Sequence, residues 1–237
     1  MTRTISGESN QSAWDNIFKI KKENKSCNQH PIEHVVVFVA KNYYRVPKRE
    51  DIRVLEIGSG TGCNLAFLSK AGFQTYGLDH SAFAVEMAKE FLEERQCLAE
   101  IVHSCATSIP FESSFFDVCV ESNSIHCNST EDIIKIFDEI YRVLKIGGKF
   151  FGIFVSDVTE EFGQGVPFDE RTFDFTEVKN ASRGQFDGFP VIHFFGKEEL
   201  LEMTQKFSSV LLQTDTMTFE TGNDRSPIAY WLVELQK

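Results

Sequence analysis

The residues best placed for chemistry stand directly behind one apolar run. In VLEIGSGTGCN, Val54 to Asn64, the glycines Gly58, Gly60 and Gly62 alternate with Ser59 and Thr61. A loop with so few Cβ atoms lets a ligand come close to the backbone. A dinucleotide-binding turn spaces its glycines G-x-G-x-x-G, which would need the third at position 63, where Cys63 stands. Glu56, just ahead of the loop, would repel a pyrophosphate and suits a ligand that carries an amino group. Asp79, in GLDHS, falls where a carboxylate can take hydrogen bonds from ribose hydroxyls. Taken singly, each has a plainer alternative. A glycine loop can be only a strand-to-helix turn, and an aspartate after a strand only a helix cap.

Other polar residues are open to two readings. Arg171 and Arg183 lie in a phenylalanine-rich stretch, where they could bind a substrate's carboxylate or phosphate or pair with neighbouring acids. His193, in VIHFF, could face a pocket or serve packing. Cys27, His30 and His34 are close in sequence, but no fourth ligand lies nearby and there is no C-x-x-C pair, so no metal site is expected. The six cysteines are read as free thiols in a reducing compartment.

These residues need a scaffold, and the hydrophobic pattern supplies one. IRVLEI, TYGLD, AEIVHS, FDVCVES and KFFGIFV read as strands, separated by the helical stretches NLAFLSKAG, HSAFAVEMAKEFLEER and TEDIIKIFDEIYRVLK. Ser81 is a plausible cap for the second of these helices. Gly147-Gly148 should stop the third, with Lys145 in its last turn. Such alternation builds a parallel sheet covered on both faces. Residues 1–48 are read as a helical cap, with Trp14, Ile17, Phe18 and Ile20 on one side of a short amphipathic helix. Residues 49–155 form the core, 156–195 an insertion or substrate lid, and 196–237 a helix and closing strand pair, all within one domain of 1–237. The insertion holds eight phenylalanines (162, 168, 173, 175, 186, 189, 194 and 195), read as a miniature core in preference to a substrate wall.

The net charge of −11 argues against sequence-independent binding to nucleic acid and against docking on anionic membranes. Met1 to Ser26 has no apolar leader segment, and no apolar run approaches the roughly 20 residues a bilayer span needs. The expectation is a cytoplasmic protein.

Four stretches in order, VLEIGSGTGCN, GLDHS, IPFESSFFDVCVES and VLKIGGKFFGIF, resemble the successive motifs of class I S-adenosylmethionine-dependent methyltransferases. The resemblance covers about Val54 to Val155. It implies a Rossmann-like α/β fold: a doubly wound, seven-stranded, mostly parallel sheet with a C-terminal antiparallel strand. It also implies S-adenosylmethionine as cofactor and S-adenosylhomocysteine as product.

By that resemblance Gly58, Ser59, Gly60 and Gly62 line the methionine part, and Glu56 lies near its amino group. Asp79 takes the ribose, with His80 and Ser81 near the adenine. Cys105, Ala106 and Thr107 form the adenine-facing turn, where many relatives place an aspartate at the position of Cys105. Glu121 and Ser122 fall beside the methyl-bearing sulfur, and Asn123 follows toward the acceptor.

His126, on the loop after the fourth strand, matches a histidine found in several small-molecule members. It is a candidate general base, with packing or capping of the next helix as the alternative. Trp14 is either part of a segment folded over the cofactor or an anchor of the N-terminal helix. No Asn/Asp-Pro-Pro-aromatic motif, Pro-Cys nucleophile or paired-glutamate loop is present, which turns the reading from DNA bases and protein arginines toward a small-molecule acceptor with an oxygen or nitrogen nucleophile. A non-catalytic cofactor-binding accessory protein, and a protein or RNA methyltransferase acting with a partner, stay open as alternatives. The oligomeric state has no sequence signal.

Overall fold

The chain folds, in a computed structural model that describes residues 7–179, 184–221 and 224–237, around a seven-stranded sheet. Its parallel part comprises β1 (Arg53–Ile57), β2 (Gln74–Asp79), β3 (Glu100–His103), β4 (Phe116–Glu121) and β5 (Leu144–Val155). Three short strands, β6 (Val166–Pro167), β7 (Thr172–Asp174) and β8 (Ile192–His193), form a separate antiparallel sheet in the insertion. A closing hairpin, β9 (Ser209–Thr221) and β10 (Asp224–Gln236), completes the main sheet. The order is β3-β2-β1-β4-β5-β10-β9, with β10 antiparallel to both of its neighbours. Chain order reverses between β1 and β4, and the crevice at the carboxyl ends of strands at such a switch point is where open α/β sheets bind ligands.

Helices cover both faces. They are α1 (Gly7–Glu23), α2 (Glu33–Tyr43), α3 (Cys63–Lys70), α4 (Ala82–Glu94), α5 (Thr130–Val143) and α6 (Lys197–Met203). The alternation of a strand sorts the core into two layers. Phe150 and Phe154 of β5 pack with Phe137 and Ile140 of α5 and Leu200 of α6. Phe151 and Ile153 pack on the other face with Val35, Phe38 and Val39 of α2. Ser81 caps α4 by accepting from the Ala84 N–H at 3.1 Å, as its position predicts.

Gly147 and Gly148 do not stop the third helix. α5 ends at Val143, and β5 starts at once with Leu144. The two glycines lie inside β5, where the register against β4 jumps from the pair Phe116 and Leu144 to the pair Val118 and Lys149. Gly147 takes φ +76, and a Cβ on Gly148 would meet the Lys145 carbonyl at 2.8 Å. The pair therefore makes a bulge. Lys145 is consequently not a helix-terminal charge; its Nζ lies 2.7 Å from both carboxylate oxygens of Asp117.

The insertion packs its phenylalanines inward. Phe173, Phe175, Phe186 and Phe194 are buried together with Ile192, Val155 and Trp14 of α1, while Phe195 joins the main core. In α1, Trp14, Ile17 and Phe18 face this cluster, and Ile20 is exposed.

Candidate active site

A cleft of about 340 Å³ opens at the carboxyl ends of β1, β2 and β4, with α1 and the insertion along its far side. Its floor is the glycine loop, in which Gly58, Gly60 and Gly62 all take positive φ (67, 50 and 83). The three are needed for different reasons. A Cβ on Gly58 would lie 2.2 Å from Cβ of Ser124, so this glycine lets the loops after β1 and β4 touch. Gly60 has only the Phe18 ring within 4 Å, at 3.6 Å, and is demanded by conformation. Gly62 starts α3 and packs on Ala88.

Asp79 fastens this floor. Its Oδ2 accepts from the Gly60 N–H and its Oδ1 from the Ser81 N–H, both at 2.9 Å. Burial raises its carboxyl above the usual range, against the pull of these two donors and the His80 ring. Each oxygen keeps a further acceptor site, since a carboxylate offers about four lone-pair directions.

Glu56 is 2 % exposed. Its Oε1 accepts from Asn64 Nδ2 at 2.7 Å, whereas Oε2 has no partner in the protein. Burial pushes its carboxyl up to about 8, partly offset by the Asn64 bond. Asn64 also bonds Ser122 Oγ at 3.2 Å and accepts from the Ile32 N–H at 2.8 Å.

Glu121 is saturated. Its Oε2 accepts from the Ser124 N–H and hydroxyl, each at 3.0 Å, and from the Ile125 N–H at 3.1 Å. Its Oε1 takes the Ile153 N–H at 2.7 Å. Burial moves its carboxyl up to about 7 against these donors. Glu121 thus holds the loop of Ser122 to Asn128 in place, including the left-handed Asn123 (φ 60) and the 3-10 turn Ile125–Cys127.

That turn carries His126, 3 % exposed. Burial pushes its pKa down to about 3, against a hydrogen bond to the Ile153 backbone, and the nearby His193 lowers it further. Its ring is therefore neutral, and Nδ1 has no partner.

The structure brings Trp14, Glu56, Gly58, Ser59, Gly60, Asp79, His80, Cys105, Ala106, Ser122, Asn123 and His126 to this one cleft. It does not bring the others there. Gly62 and Ser81 serve helix starts, and Glu121 acts behind the lining. Thr107 donates to Cys105 Sγ at 3.1 Å. Arg171 bonds Asp157 at 2.8 Å and faces Glu199 at 3.6 Å. His193 is fully buried, with Nδ1 2.8 Å from Thr172 Oγ1 and Nε2 3.2 Å from Glu199 Oε2. Arg183 lies outside the described residues.

Several contributors were not evident in the sequence. Asn64, Ser124, Gln185 and Tyr230 line the cleft, joined by Phe186 and Phe189, for which the sequence offers a substrate wall as the alternative to packing. Asp15 of α1 accepts from Ser81 Oγ at 2.5 Å and from the Phe83 N–H at 3.3 Å, docking α1 on the start of α4. Their partners are remote in the chain, so no local pattern marks them.

Residues 55–152 match the methyltransferase-domain family. A demethylmenaquinone methyltransferase of Clavibacter sepedonicus is 32% identical over 99 residues, covering 41% of this chain and 38% of that protein. A sterol 24-C-methyltransferase of Schizosaccharomyces pombe is 27% identical over 195 residues, covering 76% of this chain and 46% of its own length. The chain thus spans less than half the length of these two relatives. Among solved structures, the PH0226 protein of Pyrococcus horikoshii superposes with a TM-score of 0.61 at 22% identity, covering 87% of this chain and 89% of that one. A Burkholderia thailandensis 1,6-didemethyltoxoflavin-N1-methyltransferase, solved with S-adenosylhomocysteine, gives a TM-score of 0.64 at 12% identity over 100% of this chain and 92% of its own. Both share the fold. No helix of the described residues is long and apolar enough to cross a membrane.

Proposed function

We propose that the chain, whose residues 55–152 match the methyltransferase-domain family, is a class I S-adenosylmethionine-dependent methyltransferase that methylates an oxygen or nitrogen of a small-molecule acceptor. One observation carries the reading: Glu56 holds a buried carboxylate oxygen without a partner beside a glycine floor. A buried carboxylate is costly unless a cation or donor meets it, and the ammonium of an amino-acid-bearing nucleoside fits that need. Asp79 presents its remaining acceptor sites to the ribose hydroxyls. His80, Cys105 and Ala106 border the adenine, with Cys105 standing where relatives place an acid.

Held by Glu56, Asp79 and the glycine floor, the cofactor would supply an electrophilic methyl on a sulfonium, its carbon–sulfur bond pair going to sulfur as the acceptor's lone pair took the carbon. The remaining work falls to the chain. Glu121 positions the Ser122–Asn128 loop, and α1 with the insertion excludes water, which is how alignment lowers the barrier of such a displacement. Neutral His126 accepts the hydrogen bond of the acceptor's O–H or N–H at Nδ1. A ring with so low an affinity for protons does not ionise the acceptor beforehand. It takes the proton as methylation makes that proton strongly acidic, and releases it to solvent once the methylated product has left and water refills the cleft.

Calorimetry with S-adenosylmethionine or S-adenosylhomocysteine is the test. The wild-type chain should bind, and Glu56→Gln should weaken binding by about tenfold or more, the loss expected for a charge-assisted hydrogen bond. No binding at millimolar cofactor would sink the proposal.

A further inference from the structure

The acceptor's half of the cleft has its own chemistry. Trp14, Phe18, Phe186, Phe189 and Tyr230 give it an aromatic wall. Trp14 and Phe189 meet edge-on at 5.3 Å, and Phe186 and Phe189 are perpendicular at 6.4 Å. The rings are packed on one another, and flat molecules lie against the free side of such a wall by offset stacking and edge contacts. Among the described residues lining the cleft, Lys21 is the one ammonium or guanidinium, and its Nζ already lies 5.8 Å over the Phe18 ring. Arg171 is committed to Asp157 and Glu199 elsewhere. The titratable groups at the inner end, Glu56 and Asp79, are acids and supply no cation.

Polar handles remain among these walls. Trp14 Nε1 and Gln185 Nε2 are buried donors without partners, and His126 Nδ1 is buried without one; with the ring's proton directed at the Ile153 carbonyl, Nδ1 is an acceptor. The donors would meet a carbonyl or a carboxylate alike; the lack of an uncommitted cation among the described lining residues decides between them. His126 Nδ1 needs a donor.

We infer that the acceptor is a neutral, planar aromatic molecule bearing an O–H or N–H, laid against the wall that Trp14, Phe186 and Phe189 form together, with its donor on His126. The inference rests on the methyl-transfer reading above. It excludes carboxylates and phosphates as acceptors, and saturated alcohols as good ones.

Three matched probes separate these classes: 2-naphthol, 2-naphthoate and decahydro-2-naphthol. Each is titrated by calorimetry into the full chain saturated with S-adenosylhomocysteine. The naphthol should bind at least tenfold more tightly than either of the others. Phe189→Ala should weaken the naphthol at least fivefold and leave the affinity for S-adenosylhomocysteine within twofold. Equal or tighter binding of the naphthoate would overturn the inference, most directly if Arg183→Ala abolished it. Equal binding of the saturated alcohol, or no binding of any probe to the loaded chain, would overturn it as well. Failure of S-adenosylhomocysteine itself to bind is a different result: it removes the methyl-transfer reading beneath.

Discussion

Glu56 links the site to the stability of the whole chain through its proton. Its carboxyl is raised from an ordinary value near 4.5 to about 8, so the folded state holds this proton more tightly than the unfolded one. The stabilisation is complete below about pH 4.5 and is lost as pH rises toward 8, because ionisation then leaves a buried charge half-paired. At 1.36 kcal/mol per pH unit the full span is at most about 5 kcal/mol. Glu121, raised to about 7, adds to the slope in the same direction. Without ligand, then, Glu56→Gln should match the wild type at pH 5 and melt at a higher temperature at pH 8.5. Scanning calorimetry at the two values decides it, and a variant no more stable at pH 8.5 would refute the assignment. His126 makes a separate prediction. With its pKa near 3, this ring should leave turnover flat above about pH 4. His126→Ala should lower kcat by about a hundredfold, the low end for a positioned base, with cofactor affinity nearly unchanged. Undiminished turnover would return the residue to packing.

At the scale of elements, two loops meet where Gly58 has no side chain. The sequence pattern marks this glycine as an opening for a ligand. Its missing Cβ is in fact occupied by Ser124 from the loop after β4, which Glu121 holds by three hydrogen bonds. Nothing local announces that contact, because β1 and β4 become neighbours only through the parallel crossover. The β-α rhythm, the Ser81 cap and the closing strand pair were legible because propensity and periodicity act over a few residues, while the antiparallel course of the last strand followed from the family resemblance. The bulge at Gly147-Gly148 was not, since two glycines after a helix read locally as its stop. The loop contact is testable as a pair. Gly58→Ala introduces a methyl 2.2 Å from Ser124 Cβ at φ +67, so it should cost stability and abolish cofactor binding. Adding Ser124→Gly removes the collision and should restore part of the stability, leaving the roughly 1–2 kcal/mol of left-handed strain. A double variant no better than the single one would show that the strain, and not the contact, makes Gly58 necessary.

Across the whole molecule, the insertion is fastened to the core at both of its ends. Arg171 ties Asp157, where the insertion leaves β5, to Glu199 on α6, where the chain returns. His193 and Thr172 bond each other and reach Thr130 at the start of α5. These residues drew attention in the sequence because arginine and histidine are the common currency of binding sites, and residue type alone does not say whether a charge is already matched. Asp157 and Glu199 lie far from Arg171 in sequence, so the matching appears only in the fold. The consequence is that Arg171 supports the acceptor half of the cleft without entering it. Its ion pair is about one-third exposed, so solvent screening keeps its worth near 1 kcal/mol. For a chain of 237 residues that amounts to roughly 2–4 °C in Tm. Arg171→Ala should therefore lower Tm by about that much and hasten proteolysis within the insertion, while S-adenosylhomocysteine affinity stays within twofold. Arg171→Lys should recover part of the loss, since it keeps the charge but not the two-sided reach of the guanidinium. If Tm and proteolysis were unchanged and only the acceptor's KM rose, the arginine would have to leave Asp157 and bind the acceptor directly. The cleft would then be open to anions, against the neutral acceptor inferred from its walls.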